Sequence, residues 1–336
     1  MPDKYSPKIV SSALSDPFRV IEERGGDVCK LSGLAGIQPD SGNDMIGLSA
    51  FVHLIDLAAD ELNFPEFGWV VGANFDLRNI GDLGQFILEA PTLKAALSLF
   101  RRAFAIVQSD SELLLTVNDD EAVLSYSILD LNIWPRRQDA ELTLSLLHSM
   151  VKSVAGDNWR PTRITMEHDT SAIWKNARFG PRCPVEYNAQ SNSLTFPARL
   201  LDLPMNKEAT GHFKTLASAL SNEATNLERE APVTIRVRRE VIRRFGKESL
   251  DQTEIAGALG YSRRTLRRRL VAENRSFSSI LSDCRTNYAA RVLQFSDQPL
   301  NVIANHLGYS EISAFERAFK LARGVTPAQY RKRFSI

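Results

Sequence analysis

The most constraining feature of this chain is an internal repeat near its C-terminal end. EIAGALGYSRRTLRRRL, Glu254 to Leu270, returns as VIANHLGYSEISAFERAF, Val302 to Phe319. Ile255, Ala256, Leu259, Gly260, Tyr261 and Ser262 recur as Ile303, Ala304, Leu307, Gly308, Tyr309 and Ser310. After one inserted residue, Leu266, Arg268 and Leu270 recur as Phe315, Arg317 and Phe319. Each copy has the grammar of a helix-turn-helix: a short helix with a small Ala facing its partner, a Gly at the sharp turn, a Ser suited to capping, then a second helix.

Setting the second helix of each copy on a wheel of 100° per residue turns Leu266 with Leu270, and Phe315 with Phe319, inward. Arg264, Arg268 and Val271 then face away, with Arg267 at the flank; in the second copy Ser313, Arg317 and Lys320 face outward and Glu316 flanks them. A protruding helix suits the major groove, where Arg can donate two hydrogen bonds to guanine. Arg263 and Arg269 sit nearer the protein flank, as phosphate contacts would. The expected DNA-binding set is therefore Arg263, Arg264, Arg267, Arg268, Arg269, Ser313, Glu316, Arg317 and Lys320. A solvated charged face is the plain alternative for such a run, and its coincidence with a repeated motif weighs against it. Between the copies, Phe277, Ile280, Leu281, Cys284, Tyr288, Val292 and Phe295 define an amphipathic helix about 28 Å long. That is a length able to hold two reading helices in successive major grooves, about 34 Å apart.

Charge separates the chain in the same place. From Pro232 to Ile336 there are 20 Lys and Arg against 9 Asp and Glu, and the remainder holds 21 against 31, so a net of +11 faces a net of −10 inside a total of +1. One module is built to face a polyanion and the other is not. A length of 336 residues favours two domains. Three separated cysteines, Cys29, Cys183 and Cys284, form no zinc or redox pair. With no secretory leader and no long apolar run, the reading is a cytoplasmic protein without membrane contact.

The N-terminal part mixes helical and strand patterns. Leu48 to Leu62 and Leu93 to Val107 carry apolar residues at three- and four-residue spacing. Glu112 to Leu129 alternates around Asn118-Asp119-Asp120 as a hairpin. A helix is expected over Asp139 to Val154, either a dimer contact or buried in its own domain, and strands at Arg163 to Glu167 and Ser193 to Phe196. The expected architecture is an α+β N-terminal sensor domain over 17–205, a connecting helix and linker over 206–231, and an all-α C-terminal domain over 232–334 with two helix-turn-helix motifs joined by a linker helix.

The closing stretch GYSEISAFERAFKLARGVTPAQYR resembles the signature of the arabinose-regulator (AraC/XylS) family at Gly308, Ser310, Phe315, Arg317, Phe319, Lys320, Gly324, Pro327, Tyr330 and Arg331. One departure is Asn274-Arg275-Ser276, which stands where the family often has a Gly after the first reading helix. GDLGQFILEAPTLKAALSLFRR and RFGPRCPVEYNAQSNSLTFPARLLDLPM resemble the sensor domain of members related to the ornithine-utilisation regulator. The resemblance implies a homodimeric transcription activator that binds promoter operator DNA, responds to a small-molecule effector and contacts RNA polymerase. It calls for no cofactor or metal, and repression is the open variant.

Candidate walls for an effector pocket are Phe51, His53, Phe64, Trp69, Phe75, Trp134, Trp174 and Tyr187, with ordinary core packing the competing explanation for each. Asp56, Asp60 and Asp76 suit a cationic effector or simply exposed positions. No catalytic or phosphate-loop motif occurs and the five histidines are scattered, so the chain reads as a regulator rather than an enzyme. A catalytic N-terminal domain and an effector-independent DNA-bending protein are the alternatives.

Overall fold

A computed structural model describes residues 5–38, 44–169, 180–205 and 213–334. The chain divides into two compact units, Met1–Ile128 with Pro135–Leu227, and Leu129–Trp134 with Glu228–Ile336.

The first unit opens with β1 (Lys8–Val10), α1 (Ser15–Glu23), α2 (Val28–Ala35), β2 (Met45–Gly47) and α3 (Leu48–Glu61), the two strands pairing antiparallel. Next come α4 (Phe67–Ala73), α5 (Asp82–Leu88) and α6 (Leu93–Val107), the last started by Thr92, whose hydroxyl accepts from the Ala95 amide at 3.2 Å. β3 (Ser111–Val117) and β4 (Glu121–Ile128) form the expected hairpin, closed where Asn118 Oδ1 accepts from the amides of Asp120 and Glu121. Along β4, Ala122, Leu124, Tyr126 and Ile128 are buried while the residues between them are half-buried, the alternation of a strand with one face on a core. The sheet then runs in the order β3-β4-β7-β5-β6, with β5 (Arg163–Thr165), β6 (Val185–Glu186) and β7 (Asn192–Pro197); β5 and β6 pair parallel and the other pairs antiparallel.

Between the sheet and α4 lies α7 (Arg137–Ala155). It is buried nearly all round from Gln138 to Leu147, so of its two expected roles the structure shows burial within its own unit. The contact with α4 is close because Gly68 and Gly72 face it: a Cβ there would stand 2.1 Å from the Gln138 carbonyl oxygen and 2.0 Å from that of Leu142. Polar α7 side chains that the apolar pattern ignored are held by neighbours. Asp139 accepts from the Tyr126 hydroxyl at 2.7 Å, and Ser145 donates to the Trp69 carbonyl at 2.7 Å.

α8 (Phe213–Glu230) crosses the boundary between the units, and the start of the expected connecting helix, 206–212, lies outside the described residues. The second unit is helical: α9 (Val233–Arg244), α10 (Gln252–Ala258), α11 (Arg263–Ala272), α12 (Phe277–Phe295), α13 (Leu300–His306), α14 (Ile312–Arg323) and α15 (Pro327–Phe334). One apolar core runs beneath all of it, from Val237, Val241 and Phe245 through Ile255, Leu266 and Leu270 to Ile303, Phe315 and Phe319, with α12 supplying Ile280, Ala289 and Leu293. Leu131, from the segment between β4 and α7, belongs to this second core, and its carbonyl accepts from Arg291 Nε at 3.2 Å. The α+β unit followed by an all-α unit is the expected fold class. No described helix is long and apolar enough to cross a membrane.

Candidate nucleic-acid interface

The two motifs are built alike at the turn. In the first, Gly260 takes φ +74° while its amide donates to the Gly257 carbonyl and the Tyr261 amide reaches back to Ala256. In the second, Gly308 takes φ +72° with its amide on Asn305 and the Tyr309 amide on Ala304. Only a residue without Cβ strain adopts this left-handed geometry freely, so the repeated Gly is a backbone requirement.

The helix starts differ. Ser262 caps α11, its hydroxyl accepting from the Thr265 amide at 3.1 Å. Ser310 does not cap α14, contrary to the sequence expectation. The inserted residue makes Glu311 the N-cap, without a side-chain cap bond, and Ser313 Oγ donates to Glu311 Oε2 at 3.2 Å. The Asn274 departure also resolves: Asn274 takes φ +55°, the conformation a Gly would supply, and Ser276 with Ser279 forms a capping box that starts α12.

Leu266 and Leu270 are buried, as are Phe315 and Phe319, so the wheel is right about which faces turn inward. Arg263, Arg264, Arg267, Arg268 and Arg269 are all exposed, with Arg269 lying 4.7 Å over the Tyr261 ring. Among the described residues none of these five is in an ion pair. The basic charge of α9 is used differently: Arg244 pairs with Glu240, Glu248 and Glu254, and Arg243 with Glu228 and Glu240. Positive charge is thus consumed inside the unit on α9 and left to the outside on α11. On α14, Arg317 and Lys320 are exposed whereas Ser313 and Glu316 are half-buried. Leu321 next to them is 90% exposed.

The first unit disperses the aromatic pocket candidates. Phe51, Phe64 and Trp69 are buried, Phe64 beneath the Arg24 guanidinium at 3.6 Å and Trp69 beside His148 at 5.8 Å. His53 is exposed and Phe75 half-buried. Trp134 belongs to the second unit, its ring 5.9 Å from Phe295, and Trp174 lies outside the described residues. Tyr187 packs on His168 at 5.7 Å beside the fully buried Glu141, whose carboxylate accepts from Arg137 Nε at 2.7 Å and lies 3.3 Å from His168 Nε2. Burial, then the negative charge of Glu141, raises the Tyr187 hydroxyl to about 12. Of the three aspartates, Asp56 is half-buried, and desolvation pushes its carboxyl up to about 7; Asp60 is exposed and Asp76 pairs with Arg78. Helical periodicity marked Asp56 as polar but carried no sign of its burial. Among the described residues no cluster of His, Cys, Asp and Glu could hold a metal ion.

Comparison with known proteins bears on both units. The arabinose-binding N-terminal domain of AraC transcription regulators matches residues 25–205, and a helix-turn-helix domain matches residues 255–333. An uncharacterized HTH-type transcriptional regulator of Mycobacterium tuberculosis is 25% identical over 94% of this chain and 93% of its own. The ornithine utilization regulator of Pseudomonas aeruginosa is 24% identical over 97% of this chain and 96% of its own. The HTH-type transcriptional regulator VirS of M. tuberculosis is 28% identical over 85% of this chain and 84% of its own.

Proposed function

This chain belongs to the AraC family of transcription regulators that carry the arabinose-binding N-terminal domain, and on that premise we propose that it is a homodimeric, cytoplasmic activator switched by a small polar effector. Sequence-specific DNA binding and effector sensing come with the family; activation, the dimer and the contact with RNA polymerase are proposed. The observation that carries the reading is the pair of protruding helices, α11 and α14, above one shared core, with five arginines of α11 committed to no ion pair among the described residues. Arg264, Arg267, Arg268, Arg317 and Lys320 take the base-facing role, and Arg263 and Arg269 the phosphate-facing one.

Duplex selection from a random pool by the full-length protein tests this directly. An enriched site with two protected patches about one helical turn apart is expected. Enrichment no better than for a scrambled duplex would refute it.

For the effector we propose the polar group of Glu141, Arg137 and His168 with Tyr187 as the receiving surface, because it joins buried charge to the half-buried ring of Tyr187. The relative named for ornithine utilization makes amines and amino acids the first compounds to try. A ligand of the folded state raises its melting temperature. A compound that does so in the wild type and equally in Tyr187→Ala would place the site elsewhere.

A further inference from the structure

The two motifs share one contact that lies outside either helix pair. In the second, Arg285 reaches from α12 to the end of α13: its Nε donates to the Leu307 carbonyl at 2.8 Å, its Nη2 to the Gly308 carbonyl at 3.3 Å, and its guanidinium lies 4.5 Å from the centre of the Tyr309 ring. In the first, Arg236 reaches from α9 to the end of α10: its Nη2 donates to the Leu259 carbonyl at 3.3 Å, its Nη1 to the Tyr261 hydroxyl at 2.6 Å, and its guanidinium lies 5.2 Å from that ring. Leu259 and Leu307, and Tyr261 and Tyr309, are repeat equivalents. The arginines precede those leucines by 23 and 22 residues.

We infer that Arg236 and Arg285 are a matched pair of positioning residues, which fix the direction in which α11 and α14 leave their turns and thereby set how selectively the protein reads DNA. The physical reason begins at the helix end. The last carbonyls of α10 and α13 have no partner within their own helices, and the Gly that follows is the softest point of each motif. A planar guanidinium presents several donors in a fixed fork while its face lies on an aromatic ring, a geometry that the point charge of a Lys does not reproduce. Each clasp therefore ties the end of the first helix and the tyrosine of the turn to a third helix, α9 or α12. Both arginines are half-buried and engaged with backbone or tyrosine, so they act through the reading helices rather than by touching phosphate.

The inference rests on α11 and α14 being the reading helices, and the experiment separates the two. Full-length wild type, Arg285→Ala, Arg285→Lys, Arg236→Ala and Arg317→Ala are titrated with the duplex that the wild type selects and with a scrambled duplex, across a range of salt. Arg285→Ala and Arg236→Ala are expected to lose about tenfold or more in preference for the selected duplex. Affinity for the scrambled duplex and the salt slope stay as in the wild type, and Arg285→Lys does not restore the preference. Should either alanine variant fail to fold, Arg285→Lys decides alone. A slope lower by about 0.9 would make the residue a phosphate contact and overturn the inference, as would an unchanged preference. If Arg317→Ala leaves the preference untouched, the assignment of the reading helices has failed instead.

Discussion

The two helix-turn-helix motifs share a turn, a core and a basic setting, yet they present unlike surfaces. α11 exposes five arginines, whereas α14 exposes Arg317, Lys320 and Leu321 and half-buries Ser313 and Glu316. The outward faces and the helix starts differ; beneath them Leu266, Leu270, Phe315 and Phe319 belong to one continuous cluster. The lesson is that duplication supplied a scaffold twice and left each reading face free to diverge. The first motif should govern affinity and salt dependence, and the second the choice of site.

The shared core supplies the harshest test of that separation. Phe319→Ala should cost about 3–5 kcal/mol, since it empties a fully buried position packed on Phe315 and Tyr330. Leu266→Ala should cost about 2–5 kcal/mol. Denaturant melts should show both motifs lost together in each case; survival of the other motif would mean two cores rather than one.

Surface changes sharpen the comparison. Arg263→Ala with Arg269→Ala should lower the salt slope by up to about 2, while Arg317→Ala leaves the slope nearly as in the wild type and costs about 1–3 kcal/mol of discrimination at a single base pair. Equal loss of slope from both motifs would contradict the division of labour.

Acid should destabilise the shared core through the second motif. His306, at the end of α13, is stacked on Tyr288 with ring centres 4.9 Å apart, and its repeat equivalent in the first motif is Ala258. Burial, reinforced by the charge of Lys247, holds the imidazole down at about 4. The unfolded chain therefore takes up this proton first as pH falls. The stabilisation is present in full above about 6.5 and is lost as pH drops to about 4, an effect of about 3 kcal/mol. Melting followed against pH should show this acid limb flattened in His306→Gln.

The smallest expected effect lies between the motifs. Asn274→Ala should cost about 1 kcal/mol, because alanine strains at φ +55°, whereas Asn274→Gly should be close to neutral in a thermal melt.

Much of the reading helix was legible because its signals are local. The inward leucines and phenylalanines follow from 3.6-residue periodicity, and the turn glycines from the steric cost of a Cβ at positive φ. Ser310 does not cap α14 because one inserted residue displaces the helix start, a shift that alignment of the two copies shows but does not translate into geometry. The one sequence signal for Arg236 and Arg285 is their nearly equal offset from Leu259 and Leu307, which gains meaning only once the clasps are seen.

By itself the sequence determined the tandem motif, the acidic and basic division of the chain, the hairpin and the buried faces of its helices. The hairpin and the buried faces depend on neighbours within a few turns of chain, where backbone sterics and apolar spacing decide, and the repeat and the charge division are read from residue identity without any geometry. Tertiary structure alone decided that Arg243 meets Glu228 and Arg244 meets Glu254 while the arginines of α11 are offered outward. It also decided that Asp139 and Glu141 lie buried and Asp56 half-buried, that Leu131 joins the second core, and that the aromatic candidates scatter. Those outcomes depend on groups far apart in sequence, whose encounter no local pattern records.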